Sequence, residues 1–226
     1  MVRKRNLTNR AGFPAGNAKM RFMAITIAIL LHAAALQAQA WVEYTDLDDR
    51  FLVNFPGEPQ LSTGVYTSEL GAQLPTRTYA VERGASRYSL TVVDYTQAKR
   101  IWEARCAELT HECDGLEPGI EVRGSIAFAA WNYRKNARGE ITYDAYAQVD
   151  GVPGHHLQIT NSDGSRTFVA IHLHARRLYL LEGTVPEEAP PPGLFQQSLG
   201  ILDQHGVRVR YIYGEDDRPI RVGPED

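Results

Sequence analysis

Residues 155–174 read HHLQITNSDGSRTFVAIHLH, and this stretch decides the fold. Apolar and polar residues alternate on both sides of Asn161-Ser162-Asp163-Gly164. An Asp-Gly turn between two alternating runs is the strongest short-range hairpin signal. Each residue of the turn has a local reason to be there, through side-chain bonds to its own backbone or tolerance of positive φ. The stretch therefore predicts strands over His155–Thr160 and Arg166–His174. Working outward, Ile141–Val149 precedes it and ends at Asp150-Gly151-Val152-Pro153-Gly154, and Arg177–Val185 follows it. Four strands in succession with short turns predict an antiparallel sheet.

Further towards the N-terminus, Arg50–Phe55 alternates Phe51, Val53 and Phe55 with Leu52 and Asn54 and stops at Pro56-Gly57, a strand and turn. Thr76–Glu82 and Arg87–Tyr95 flank Arg83-Gly84-Ala85-Ser86, a hairpin connection. After Thr96 the period changes. Ala98, Trp102, Cys106 and Leu109 recur every three or four residues, which predicts a helix over Gln97–Leu109. Ser125–Tyr133 reads both ways, its alanines favouring a helix and its aromatics a strand. Pro190-Pro191-Pro192-Gly193 opens a predicted helix over Leu194–Asp203, with Gly206 as its C-terminal cap. Val207–Tyr213 reads as a last short strand. The fold class is α+β, an antiparallel sheet flanked by a few helices. The expected organisation is one domain over 41–213 and a flexible charged tail over 214–226.

Residues 1–40 carry Arg3, Lys4, Arg5, Arg10, Lys19 and Arg21 and no acid. The apolar run Phe22–Leu36, broken only by Thr26 and His32, leads to Gln37-Ala38-Gln39-Ala40. This is the pattern of a secretory signal peptide, with cleavage expected after Ala40, either from Met1 or from a start at Met20. The apolar run is short of the roughly 20 residues that a membrane span needs, so no span is expected in the mature protein. The expected location is periplasmic or secreted. The chain has 24 basic and 27 acidic residues; without the six basic residues of 1–40 the balance is 18 to 27, a net −9. So acidic a domain repels phosphate backbones and anionic membrane surfaces, which argues against nucleic acid as a partner.

The segments DRFLVNFPGEP (49–59), YSLTVVDY (88–95) and LFQQSL (194–199), with a helix and paired strands between them, resemble the layout of PsbP-like domains. QITNSDGSRTFVAIHLHARRLYLLEGTVP (158–186) and PPPGLFQQSLGILD (190–203) also resemble a group of uncharacterised exported proteobacterial proteins. The resemblance implies an antiparallel sheet sandwiched by helices. It also implies a binding or assembly role, since PsbP-like domains share no catalytic signature. The expected partner is an envelope protein or a small ligand, and no cofactor is implied.

Among chemical constellations, His172 and His174 stand out. In a strand they share a face about 6.6 Å apart, and two imidazoles on one face can grip zinc or copper. His155 or His156 could approach across the hairpin, and Asp94 or Asp144 could complete a site. A metal-binding protein or metal-dependent enzyme built on His172 and His174 is therefore the alternative to a non-catalytic module. The bland reading of the pair is a half-buried sheet face. Cys106 and Cys113 in an oxidising compartment suggest a disulfide. On one helix their Cα atoms would stand about 10.5 Å apart, beyond the roughly 7 Å a disulfide spans, so the helix must end between them. Asp114-Gly115 and Pro118-Gly119 supply stop signals. A catalytic Cys106 thiol, with His111 near in sequence, is disfavoured by its place late in the helix, where the dipole raises its pKa.

The remaining candidates read as structure. Asp46, Asp48 and Asp49 lack the spacing of a calcium loop and read as an exposed acidic segment. Ser162 and Ser165 sit in a turn, and no G-x-S-x-G elbow occurs. Arg166, Arg176 and Arg177 read as solvated charges at strand ends rather than an anion site. Trp41, Trp102 and Trp131 read as core.

Overall fold

A computed structural model describes residues 41–109, 117–216 and 218–223. In chain order the first strands are β1 (Val42–Asp46), β2 (Phe51–Phe55), β3 (Gln60–Thr67), β4 (Gln73–Arg83) and β5 (Ser86–Asp94). Two helices follow, α1 (Ala98–Leu109) and α2 (Val122–Asn136). Next come β6 (Gly139–Val149), β7 (Val152–Asn161), β8 (Arg166–His174) and β9 (Arg177–Val185). A single turn of helix, α3 (Gly193–Gln196), precedes β10 (Gly200–Ile201), β11 (Tyr211–Tyr213) and β12 (Pro219–Arg221). No helix among the described residues is long and apolar enough to cross a membrane.

The main sheet has seven strands in the order β3-β4-β5-β9-β8-β7-β6, and all its pairings are antiparallel. The fold is thus mostly antiparallel sheet with few helices, as the alternating runs predict. The two meanders β3–β5 and β6–β9 are each built from neighbours in sequence, and β5 against β9 joins them, with Arg87 opposite Thr184 and Asp94 opposite Arg177. A second sheet, β1-β2-β10, covers one face of the first. Strand alternation sorts the side chains into two cores. Phe51, Val53 and Phe55 of β2 meet Tyr79, Leu90 and Leu181 on one side. Trp102 of α1 and Ile126 and Ala129 of α2 meet Leu157, Ile171 and Leu180 on the other.

The turns follow local chemistry. Asp150 (φ 49°) and Gly151 (φ 78°) make a two-residue turn between β6 and β7, so Val152, Pro153 and Gly154 belong to β7 rather than to the turn. Mirror-image turns of this kind match the twist of a hairpin. Ala175 (φ 45°) and Arg176 (φ 63°) do the same between β8 and β9, without a glycine.

Several elements differ from the sequence expectation. Ser125–Tyr133 resolves as helix, within α2. Leu194–Asp203 is not one helix: only Gly193–Gln196 is helical, and Gly200–Ile201 pairs with β2. The backbone of β2 supplies partners that a free helix end would lack. The Asn54 amide also donates to Ser198 Oγ at 2.8 Å. Gly206 (φ 78°) closes a turn that Asp203 holds through the Val207 amide at 2.9 Å, rather than capping a helix. Within 214–226, Pro219–Arg221 pairs with Tyr211–Tyr213.

Asp46 and Asp49 are not a free acidic segment. Asp49 is 3% exposed. It forms an ion pair with Arg77 and accepts a hydrogen bond from Tyr79 Oη at 2.6 Å. The same hydroxyl reaches Asp46 Oδ2 at 2.8 Å. A buried carboxylate has to be paired in this way, so these acids fasten the β1–β2 turn to the main sheet.

Candidate functional site

The histidine-bearing hairpin is where the sequence places its sharpest chemistry. Alternation along β7 and β8 sends His156, His172 and His174 towards the small sheet and His155 towards the helices. His172 is 1% exposed. Its Nδ1 donates to the Pro153 carbonyl at 3.3 Å, and its ring stands edge-on to His156 with centroids 5.9 Å apart. Gly154, opposite it on β7, leaves room for the imidazole; a Cβ there would overlap the ring. Burial, with the neighbouring His156, pushes the His172 pKa down to about 4. His174 Nε2 lies 3.1 Å from Tyr211 Oη. Burial, then Arg221 and Arg50, lowers its pKa.

The acids that might complete a metal site lie elsewhere. Asp144 contacts His155 Nε2 at 2.5 Å and Arg134 Nη1 at 3.0 Å on the opposite face. Asp94 accepts from the Thr96 amide at 2.8 Å. Among the described residues no group of three or more His, Cys, Asp or Glu side chains is placed to hold a metal ion. Cys106 is buried in the core beneath α1. Cys113, its expected disulfide partner, and His111 lie outside the described residues.

The three arginines are held by the protein itself. Arg166 donates to the Ala189 carbonyl, Arg176 pairs with Glu117, and Arg177 donates to the Asp48 carbonyl at 2.9 Å. Ser165 is held in its turn by Asp163, through its amide at 3.0 Å and its hydroxyl at 2.7 Å. Of the tryptophans, Trp102 is core, and Trp41 packs edge-on against Tyr88, with centroids 5.5 Å apart. Trp131 is the exception, 45% exposed.

Trp131 lines a cavity of about 770 Å³ between the C-terminal half of α2 and the helix-side face of the main sheet. Its aromatic wall is continuous. Trp131 stacks on Phe128 with centroids 5.7 Å apart, and Tyr66 meets Phe128 edge-on at 6.5 Å. Its polar floor comes from the central strands. Glu182 of β9 is partly buried there, and Tyr133 donates a hydrogen bond to it. Burial raises the Glu182 pKa, and the Tyr133 hydrogen bond works in the opposite direction. Burial and the adjacent Glu182 raise the Tyr133 pKa well above its ordinary value. At the foot of the cavity Asn161 Nδ2 donates to Thr167 Oγ1 at 2.9 Å.

A concave site with aromatic walls, a few convergent polar groups and a perturbed carboxyl is the usual form of a small-molecule pocket. Sequence reasoning passes over Glu182 and Tyr133. The signal available is the single charge inside the run Leu178–Val185, at a position of the same parity as Leu178 and Leu180 and so on a buried face. A smaller cavity of about 550 Å³ lies near the β6–β7 turn and includes Arg123, Tyr146 and Tyr213.

No family model matches the chain, and no curated protein matches it in sequence.

Proposed function

We propose that this chain is an exported, non-catalytic binding or assembly module that works in the periplasm or outside the cell, with a PsbP-like arrangement of helices on an antiparallel sheet. One observation carries the binding role: the cavity of about 770 Å³ under α2, aromatic on its wall and acidic on its floor. Its volume falls in the range of small-molecule sites, roughly 300–1,000 Å³. Ser165 is held in its turn by Asp163 and His172 is buried against the Pro153 carbonyl, so these two do not form a nucleophile–base pair. Export is supported by the basic, apolar and Ala-Gln-Ala segments of 1–40.

The test is a fragment screen read by amide chemical shifts on protein purified from the full-length gene. The expected result is a set of hits whose shifts cluster at Phe128, Trp131, Tyr133 and Glu182. The binding reading fails if no fragment moves those resonances, or if the hits gather at another surface.

A further inference from the structure

We infer that the cavity under α2 takes a ligand carrying a protonated amine beside an apolar or aromatic body, with the ammonium seated on Glu182 and the body against Phe128 and Trp131. This rests on the binding role proposed above and adds the class of ligand.

The first argument is charge. Glu182 projects from the central strand β9 into the cavity. Its hydrogen-bond partner, the Tyr133 hydroxyl, is neutral. Among the described residues no Lys, Arg or His forms an ion pair with it. A carboxylate withdrawn from water is costly without a cation, so a cationic ligand has more to gain here than a neutral one. An anionic ligand would meet like charge in a poorly solvated place. Lys135 and Arg138 also reach the cavity, but both are exposed at its mouth, where salt damps their repulsion.

The second argument is the wall. Aromatic faces attract ammonium groups through the ring quadrupole. The protein already shows this, since Lys135 Nζ sits 4.7 Å from the centroid of the Trp131 ring. The face of Trp131 therefore attracts an ammonium, and at the mouth of the cavity Lys135 already supplies one. The third argument is size. The space suits a small amine or the end of a flexible one.

The experiment compares three probes of one shape: 2-phenylethylamine, 2-phenylethanol and 3-phenylpropionate. Each is titrated into the full-length gene product and followed at Trp131 and Glu182. The amine is expected to bind about tenfold or more tighter than the alcohol, the ratio that roughly 1.4 kcal/mol of charge pairing gives, with the carboxylate weakest. Glu182→Gln should abolish that preference while the circular dichroism stays that of the parent, and Tyr133→Phe, which keeps the carboxylate, should retain it. Equal binding of all three probes would leave the binding role standing and overturn the ligand class. So would a preference for the carboxylate, or an amine preference that survives Glu182→Gln. If none of the probes binds, the ligand class falls here, and the fragment screen decides the binding role separately.

Discussion

Asp49 and Arg77 lie against each other across the two sheets, with Arg77 Nε donating to Asp49 Oδ2 at 2.5 Å. The Asp49 side chain is 4% exposed and that of Arg77 is 41% exposed. The two ends of the pair are therefore unequal. Removing the acid strips a partner from Tyr79, which lies in the core, and from a cation that still reaches water. Asp49→Ala is expected to destabilise the fold by about 3 kcal/mol. Arg77→Gln, which leaves a buried carboxylate without its cation and with only its Tyr79 bond, should cost at least as much. Urea unfolding of both variants checks the order.

The histidines make stability fall on the acid side of neutrality. His172 has a folded pKa of about 4, below its ordinary 6.5. The unfolded chain therefore takes up a proton first as pH falls. The contribution is fully present above about pH 6.5 and is lost as pH drops towards 4. For a shift of this size the loss is about 3 kcal/mol. His156 and His174 are lowered as well and act in the same direction. Thermal scans from pH 7 to pH 4 should show Tm falling, and His172→Gln should flatten the slope between those limits.

Glu182 has the opposite sense. Its folded pKa is raised, so the folded state gives up its proton less readily than the unfolded chain. That group's contribution favours folding at low pH and is lost as pH rises above 4.5. Glu182→Gln is therefore expected to raise Tm at pH 8 and leave it nearly unchanged at pH 4. A fall in Tm at pH 8 would show that the carboxylate is already well paired.

The β8–β9 turn offers a stabilising change. Ala175 has φ 45°, a left-handed conformation that a Cβ disfavours. Asparagine tolerates this region better and is a preferred first residue of such turns. Ala175→Asn should add about 0.5 kcal/mol, within the range of turn optimisation. The urea midpoint measures it, and an unchanged or lower midpoint would mean that the turn carries little strain.

Residues with a strong local period could be read from the sequence alone. Arg166–His174 and Arg177–Val185 match their strands end to end, because alternation and an Asp-Gly or two-residue turn fix both boundaries. β3 is not legible in the sequence, for a physical reason. Leu61 and Val65 of β3 are exposed, so an edge strand with little to bury leaves no apolar alternation to find. Leu194–Asp203 shows tertiary pairing overriding helix propensity, with β2 capturing Gly200 and Ile201. At the site, the two-residue period placed His172 and His174 on one face correctly in principle. It could not say that Asp144 lies on the other face, because that depends on the register of β6 against β7. For Glu182 the sequence offers only its parity with Leu178 and Leu180, which marks a buried face but not the cavity beside it, since that depends on how α2 packs on the sheet.

The join between β5 and β9 also sets an order of assembly. Tyr88 has to find Gly183, and Asp94 has to find Arg177, across the whole intervening chain. The β3–β5 and β6–β9 meanders need only their neighbours, whereas this seam closes a long loop and bears the entropy of doing so. A polypeptide emerging N-terminus first, from a ribosome or through a pore, would complete neither core until β9 had appeared. The β2–β10 pairing comes later still. Before that point the first half is an unfinished sheet with its central edge open, the form in which a chain can still be threaded and in which it is most open to wrong partners.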